Sequence, residues 1–265
     1  MRLNELLTKK CLFVGFNKQK SLIEGKLNAT FVSWGKLDLS KASFYDVIFI
    51  GAVVKSRDKA RELVKIANKN KIHLIMYGSL VEDNKIKQHK IFKSNDIDHP
   101  ESISGDIKKI SIAKITKLGF PVIAKTEEGE QGKGVAKLDN EKELANFISS
   151  NEGNYVFQQY LPNDGDYRLF FFNHKLLFTI KRSSQDKKEF RNNISLGGKQ
   201  KFVKLPDNVI ELASKIDKHF NYDFAGIDLI EHNGQWKILE INTSPQFIEK
   251  ENIVIPEIIK YIKSL

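Results

Sequence analysis

Two acids inside apolar strands constrain this chain more than any other feature. Asp228 lies in GIDLI (Gly226–Ile230) and Glu240 in LEINTSP (Leu239–Pro245), with an Asn233–Gly234 pair between them. Burying an unpaired carboxylate is costly, so each acid needs a partner. One partner is a cation: oxygen ligands from Asp228, Glu240 and Asn242 suit Mg²⁺, a hard ion usually shared with substrate phosphates. The others are a Lys or Arg side chain, or an exposed strand face. Glu240 and Asn242 are two apart and share a face. A two-residue turn pairing 232 with 235 would put Asp228 on the opposite face. A three-residue connection or a one-residue bulge would bring the three together. The hairpin is therefore predicted not to be a plain two-residue turn.

The chain of 265 residues suffices for one large domain or two to three small ones. With 41% hydrophobic and 29% charged residues, a packed core is expected. A single cysteine, Cys11, precludes an intrachain disulfide and fits a reducing, cytoplasmic setting. No apolar run reaches signal-peptide or bilayer-spanning length, so no membrane partner is expected. The net charge of +10 attracts polyanions. The lysines are spread through the chain, with one modest cluster at Lys85, Lys87, Lys90 and Lys93. The first reading of this charge is that lysine is simply abundant, and an acidic substrate is the second; no recognition helix, zinc pattern or aromatic platform points to nucleic acid.

Three units are expected. Residues 1–80 form a small α/β domain: strands at Cys11–Phe16, Ala29–Trp34, Val47–Ile50 and His73–Tyr77 surround a helix at Arg57–Asn70, implying a parallel sheet. Residues 81–152 hold a central subdomain with a helix at Ile107–Leu118, strands at Pro121–Lys125 and Val135–Leu138, and a helix at Lys142–Ser149. Residues 153–265 hold strands at Tyr155–Tyr160, Tyr167–Phe172, Lys175–Lys181, Phe224–Ile230 and Trp236–Ile241, with helices at Asn208–Phe220 and Ile255–Ser264.

Three further segments carry chemistry. In PVIAKTEEGEQGKGV (Pro121–Val135) a strand ends in Lys125 and a loop carries Gly129, Gly132 and Gly134. Such a loop can fold over phosphates, with Lys125 as a fixed charge, or it is an ordinary glycine-rich hairpin. In QQYLPNDGDYRLF (Gln158–Phe170) a strand edge can pair with an adenine edge while Asp166 holds a ribose; Arg168 shares the face of Asp166. In KRSSQDKKEFRNNISLGG (Lys181–Gly198), Arg182, Arg191, Asn192 and Asn193 are donors suited to carboxylate or phosphate.

In this order the segments resemble the ATP-grasp superfamily, most closely its RimK-like carboxylate–amine ligases. The similarity runs from about Asn84 to the C-terminus: NKIKQHKIFK, GFPVIAKTEEGEQGKGV, FQQYL, GDYR, FRNN with GG, DFAGIDLI and LEINTSP. The resemblance implies an ATP-grasp fold of α/β class, with α+β subdomains behind a short N-terminal domain. It implies phosphate contacts from Lys85 and Lys125, a lid over Gly129–Gly134 including Gln131, and an adenine segment at Gln159, Tyr160 and Leu161. Asp166 becomes the ribose acid, and Asn192 and Asn193 the γ-phosphate segment. Arg191, Arg168 and Arg182 become the catalytic cations, and Asp228, Glu240 and Asn242 the metal ligands. ATP and two Mg²⁺ ions follow, with Mn²⁺ as a substitute. So does an acyl-phosphate route joining glutamate or another amino acid to a peptide, protein tail or small acceptor, in a homo-oligomer. Related ligases of the D-alanine–D-alanine or peptide-macrocyclising type, or a non-catalytic nucleotide binder, are the alternatives. Gln159 stands where the family usually has an acid, and Gln246 where it usually has glycine. Replacing Asp228 or Glu240 by alanine is expected to abolish ADP formation with the fold intact.

Overall fold

The computed structural model describes residues 9–53, 55–80, 84–127, 134–185 and 198–265. The first unit runs β1 (Lys10–Val14), α1 (Lys20–Ile23), β2 (Asn28–Val32), β3 (Val47–Ile50), α2 (Arg57–Lys69) and β4 (His73–Met76). Its sheet is parallel throughout, in the order β2-β1-β3-β4. β3 is buried at every position because both sheet faces are covered. Ala60, Leu63 and Ala67 of α2 pack on one face, and an aromatic cluster including Phe13 and Phe49 packs on the other.

The second unit runs α3 (Lys85–Ser94), β5 (Ser102–Asp106), α4 (Ile112–Thr116), β6 (Val122–Thr126), β7 (Val135–Leu138), α5 (Glu141–Ser150) and β8 (Asn154–Gln159). Its antiparallel sheet has the order β5-β8-β6-β7. β8 thus belongs to the central sheet although it follows residue 152. The expected Ile107–Leu118 helix is reduced to Ile112–Thr116. Ile107 is buried instead in this unit's own core, and its N–H bonds to Gly153 O at 2.9 Å. β5 (SISGD) was not expected as a strand. It lacks an apolar alternation and is extended by pairing with β8.

The third unit runs β9 (Asp166–Phe172), β10 (Lys175–Ser183), β11 (Lys199–Phe202), α6 (Asp207–Phe220), β12 (Phe224–His232), β13 (Gln235–Asn242) and α7 (Glu251–Ser264). The antiparallel order is β11-β10-β9-β12-β13. α7 begins four residues before the expected Ile255 and carries Pro256 inside it. One sheet face packs Leu169, Phe171, Ile227, Leu229 and Ile241 against α6. The other packs Phe170, Phe172 and Phe224 against Phe13, Phe49 and α7, so the first and third units share one aromatic core. Met76 N–H donating to Asp223 Oδ2 and Tyr77 O–H donating to Pro245 O, both 2.7 Å, stitch that contact.

Candidate nucleotide and metal site

Along β9 and β12 one sheet face changes character. Phe172 and Phe170 on β9, and Phe224 on β12, lie in the shared core; Arg168, Asp166 and Asp228 continue the same face as charges. Gly226 marks the change. A Cβ there would lie 2.6 Å from Pro245 Cβ and 3.4 Å from Arg168 Cδ, so only glycine lets the Ser244–Pro245 segment cross the strand.

Of the two devices expected for the hairpin, the structure uses the one-residue bulge, and it lies away from the turn. His232 pairs with Gln235, so the turn is a plain two-residue one, with φ of +52° at Asn233 and +77° at Gly234. The expected departure from a plain turn is therefore wrong. A bulge farther along does the work: Asp228 opposes Glu240 while Leu229 opposes Ile238, leaving Leu239 as the extra residue. This slip puts Asp228, Glu240 and Asn242 on one face. Asn242 Nδ2 lies 3.3 Å from both Asp228 Oδ2 and Glu240 Oε1.

Asp228 is 2% exposed and is compensated by arginines. Arg168 donates through Nε and a terminal nitrogen, each at 2.6 Å, and Arg182 donates at 2.9 Å. Arg182 also donates to Asp166. Three strands, β10, β9 and β12, thus carry a row of paired charges, with Glu240 beside Asp228 on β13. Burial pushes the Asp228 carboxyl pKa up, but Arg168 and Arg182 outweigh it and hold the group below the usual range. Asp166 is buried enough that its carboxyl is raised despite Arg182.

Lys125 faces this row from the central sheet. Its ammonium donates to Gln158 Oε1 at 2.6 Å, while Gln158 Nε2 is buried with no partner among the described residues. Lys125 lies half-buried in the wall, and burial lowers its pKa. Glu240, Asp228 and Asp166 act against that shift, and Lys85 acts with it. The field of the acidic row therefore reaches Lys125, and the two expected phosphate lysines lie close enough to repel. His89, one turn beyond Lys85, bonds Ser102 Oγ at 2.9 Å and is pulled to about 3 by burial, with Lys125, His99 and Lys85 adding to the effect. It is a neutral imidazole beside two lysines.

Other expected residues take simpler places. Gln159 N–H bonds Glu101 O at 2.8 Å and Tyr160 N–H bonds Pro121 O at 3.2 Å, so these donors are engaged within the protein. Leu161 is buried, and Lys137 Nζ lies 5.1 Å from the Tyr160 ring centroid. Gly134 has a φ of +73°, and a Cβ there would lie 2.3 Å from Thr126 Oγ1, so its glycine closes the β6–β7 turn. Gly129, Gln131, Gly132, Arg191, Asn192 and Asn193 lie outside the described residues. Sequence reasoning missed Gln158 and Gln88. Gln158 is one residue before the expected adenine segment, on the strand face that meets Lys125.

Among the described residues no group of three or more His, Cys, Asp and Glu forms a metal site. Glu240 and Asn242 supply hard oxygens on one face, which suits Mg²⁺. Asp228 lies on the same face, with both of its oxygens taken by Arg168 and one of them shared with Arg182.

Residues 82–264 match the family of RimK-like ATP-grasp domains, and the chain belongs to that family. A protein named probable alpha-L-glutamate ligase from Legionella pneumophila is 35% identical over 154 residues, 55% of this chain and 51% of its own length. A probable alpha-L-glutamate ligase 2 from Shewanella baltica is 33% identical over 132 residues, 48% of this chain and 44% of its own. The chain spans about half the length of these curated relatives. Among solved structures, D-alanine–D-alanine ligase from Bacillus anthracis superposes with a TM-score of 0.67 at 17% identity, covering 95% of this chain and 92% of that one. An ATP-grasp RimK domain protein from Sphaerobacter thermophilus gives 0.68 at 15%, covering 94% and 97%. At such identities the likeness establishes the ATP-grasp fold.

Proposed function

We propose that the chain is an ATP- and Mg²⁺-dependent ligase that activates a carboxylate as an acyl phosphate and joins it to an amine. The observation that carries this reading is the meeting of Lys125 and Lys85 on one wall with Asp228, Glu240 and Asn242 on the other. The lysines hold the nucleotide phosphates, and Asp166 holds the ribose. Glu240, Asn242 and Asp228 would hold two Mg²⁺ ions, with Mn²⁺ able to replace them; the metal supplies charge neutralisation at the transferring phosphoryl group. An oxygen of the substrate carboxylate bonds to the γ-phosphorus as the bond to the β-bridging oxygen breaks and ADP leaves. The amine nitrogen then bonds to the acyl carbon, phosphate departs, and the nitrogen loses a proton. Arg168 and Arg182 would help to orient the substrate carboxylate. The family resemblance adds Arg191 to them and Gly129–Gly134 as a cover.

The substrates follow the family and the charge. Glutamate, or an acidic peptide or protein tail, complements a protein of net charge +10. We place the reaction in the cytoplasm and in a homo-oligomer. The test is ADP release with Mg²⁺ and ATP across a panel of amino acids and peptides. Release stimulated by glutamate with a peptide acceptor supports the proposal. Stimulation by D-alanine alone moves the chain to the other ligase type. Tight nucleotide binding with no release under any substrate makes it a binding protein.

A further inference from the structure

α3 joins both walls of the cleft. At its start, the N-cap Asn84 accepts from Lys87 N–H at 2.9 Å and donates through Nδ2 to Glu127 Oε1 at 2.6 Å, just past the strand carrying Lys125. One turn on, Gln88 reaches the opposite wall. Its Nε2 donates to Ile241 O at 2.8 Å, and its Oε1 accepts from Ile241 N–H at 2.9 Å. A single side-chain amide thus pairs with both backbone groups of one residue, as a neighbouring strand would. Gln88 is 5% exposed. Ile241 stands between Glu240 and Asn242, on a strand whose outer edge has no further strand beside it among the described residues.

We infer that Gln88 is a positioning residue, which sets the reach between Lys85 and the Glu240–Asn242 oxygens by locking α3 to β13. The inference rests on the ligase reading of this cleft and names the residue that holds its two halves in register. Satisfying the strand edge could have been left to water or to a loop, as Asp98 O does for Ile238 N–H at 2.9 Å. At Ile241 the partner comes instead from the helix that bears Lys85, three residues away. Outer groups that orient metal ligands commonly change metal affinity by about 10–100-fold when removed.

The experiment compares wild type, Gln88→Met and Gln88→Glu by calorimetric titration with ADP, with and without Mg²⁺, alongside thermal unfolding. Methionine keeps the length of the side chain and removes both hydrogen bonds. Glutamate keeps the acceptor for Ile241 N–H and loses the donor to Ile241 O. For Gln88→Met the Kd for ADP with Mg²⁺ should rise about tenfold, while the Kd without metal changes less than about twofold. Gln88→Glu should recover toward wild type as pH falls and its carboxyl regains a donor proton. A lower Tm with an unchanged ratio of the two Kd values would reduce Gln88 to a structural role and overturn the inference. Should Gln88→Met not fold, the pH dependence of the ratio in Gln88→Glu decides alone; a flat profile overturns the inference. Wild type that binds ADP no better with Mg²⁺ than without would instead defeat the ligase reading.

Discussion

The two walls of the cleft each carry charge that a protein interior resists, and they solve the problem differently. Asp228 is neutralised inside its own sheet by two arginines, one from the neighbouring strand and one from the strand beyond it. Lys125 has a neutral amide, Gln158, as its short-range partner, and its opposing charges lie across the cleft. The first arrangement is self-contained and ties three strands together. The second is balanced only by the facing wall or by an anion between the two. The difference separates a charge that stabilises the fold from one kept available for a ligand.

Removing Asp228 breaks the first arrangement. Asp228→Ala strands Arg168 and Arg182 in the sheet and should cost about 3–5 kcal/mol in urea unfolding. Those two ion pairs make this variant the severer test of the sequence expectation that the fold stays intact. Glu240→Gln tests the same wall without that damage. Glu240 is half-buried and has Asn242 beside it. Its loss should leave unfolding nearly unchanged and slow ADP formation about 100-fold or more, measured by coupled assay at saturating ATP. On the opposite wall, Lys125→Met should weaken ATP binding by about 10–100-fold while unfolding stays within about 1 kcal/mol of wild type. A larger loss of stability in Lys125→Met than in Asp228→Ala would invert the comparison.

The smallest effect is a pH slope. His89 is held to about 3 in the fold against about 6.5 when unfolded, because burial and the nearby lysines disfavour its charge. Its contribution is fully present above pH 6.5 and is lost as pH falls toward 3. Each unit below 6.5 should remove about 1.4 kcal/mol through this residue. Between pH 6.5 and 5, wild type should therefore lose stability more steeply than His89→Leu, read from urea midpoints. Parallel slopes would show that His89 is not held neutral by that wall.

Much of the fold was legible because apolar runs such as VIFI and FAGIDLI can only be buried strands. SISGD and KQKF were not, because their extension comes from backbone pairing with β8 and β10 rather than from their side chains. The oxygen triad was visible as three polar residues in adjacent strands. That a one-residue bulge could unite it was legible from strand parity; that the bulge falls at Leu239, away from the turn, was not, since its place appears only in the hydrogen-bond ladder. Nor were the partners of Asp228, which lie 60 and 46 residues away in sequence. Gln88 gave no signal, because a helix surface residue and a buried strand mimic read alike in NKIKQHK.

The most direct test is a crystal structure with Mn²⁺ and a non-hydrolysable ATP analogue, using anomalous scattering to place the metal. The account predicts an anomalous peak bonded to Glu240 and Asn242, with the triphosphate running to Lys125 and Lys85. A metal peak on other residues, or a triphosphate out of reach of Lys125, would contradict it.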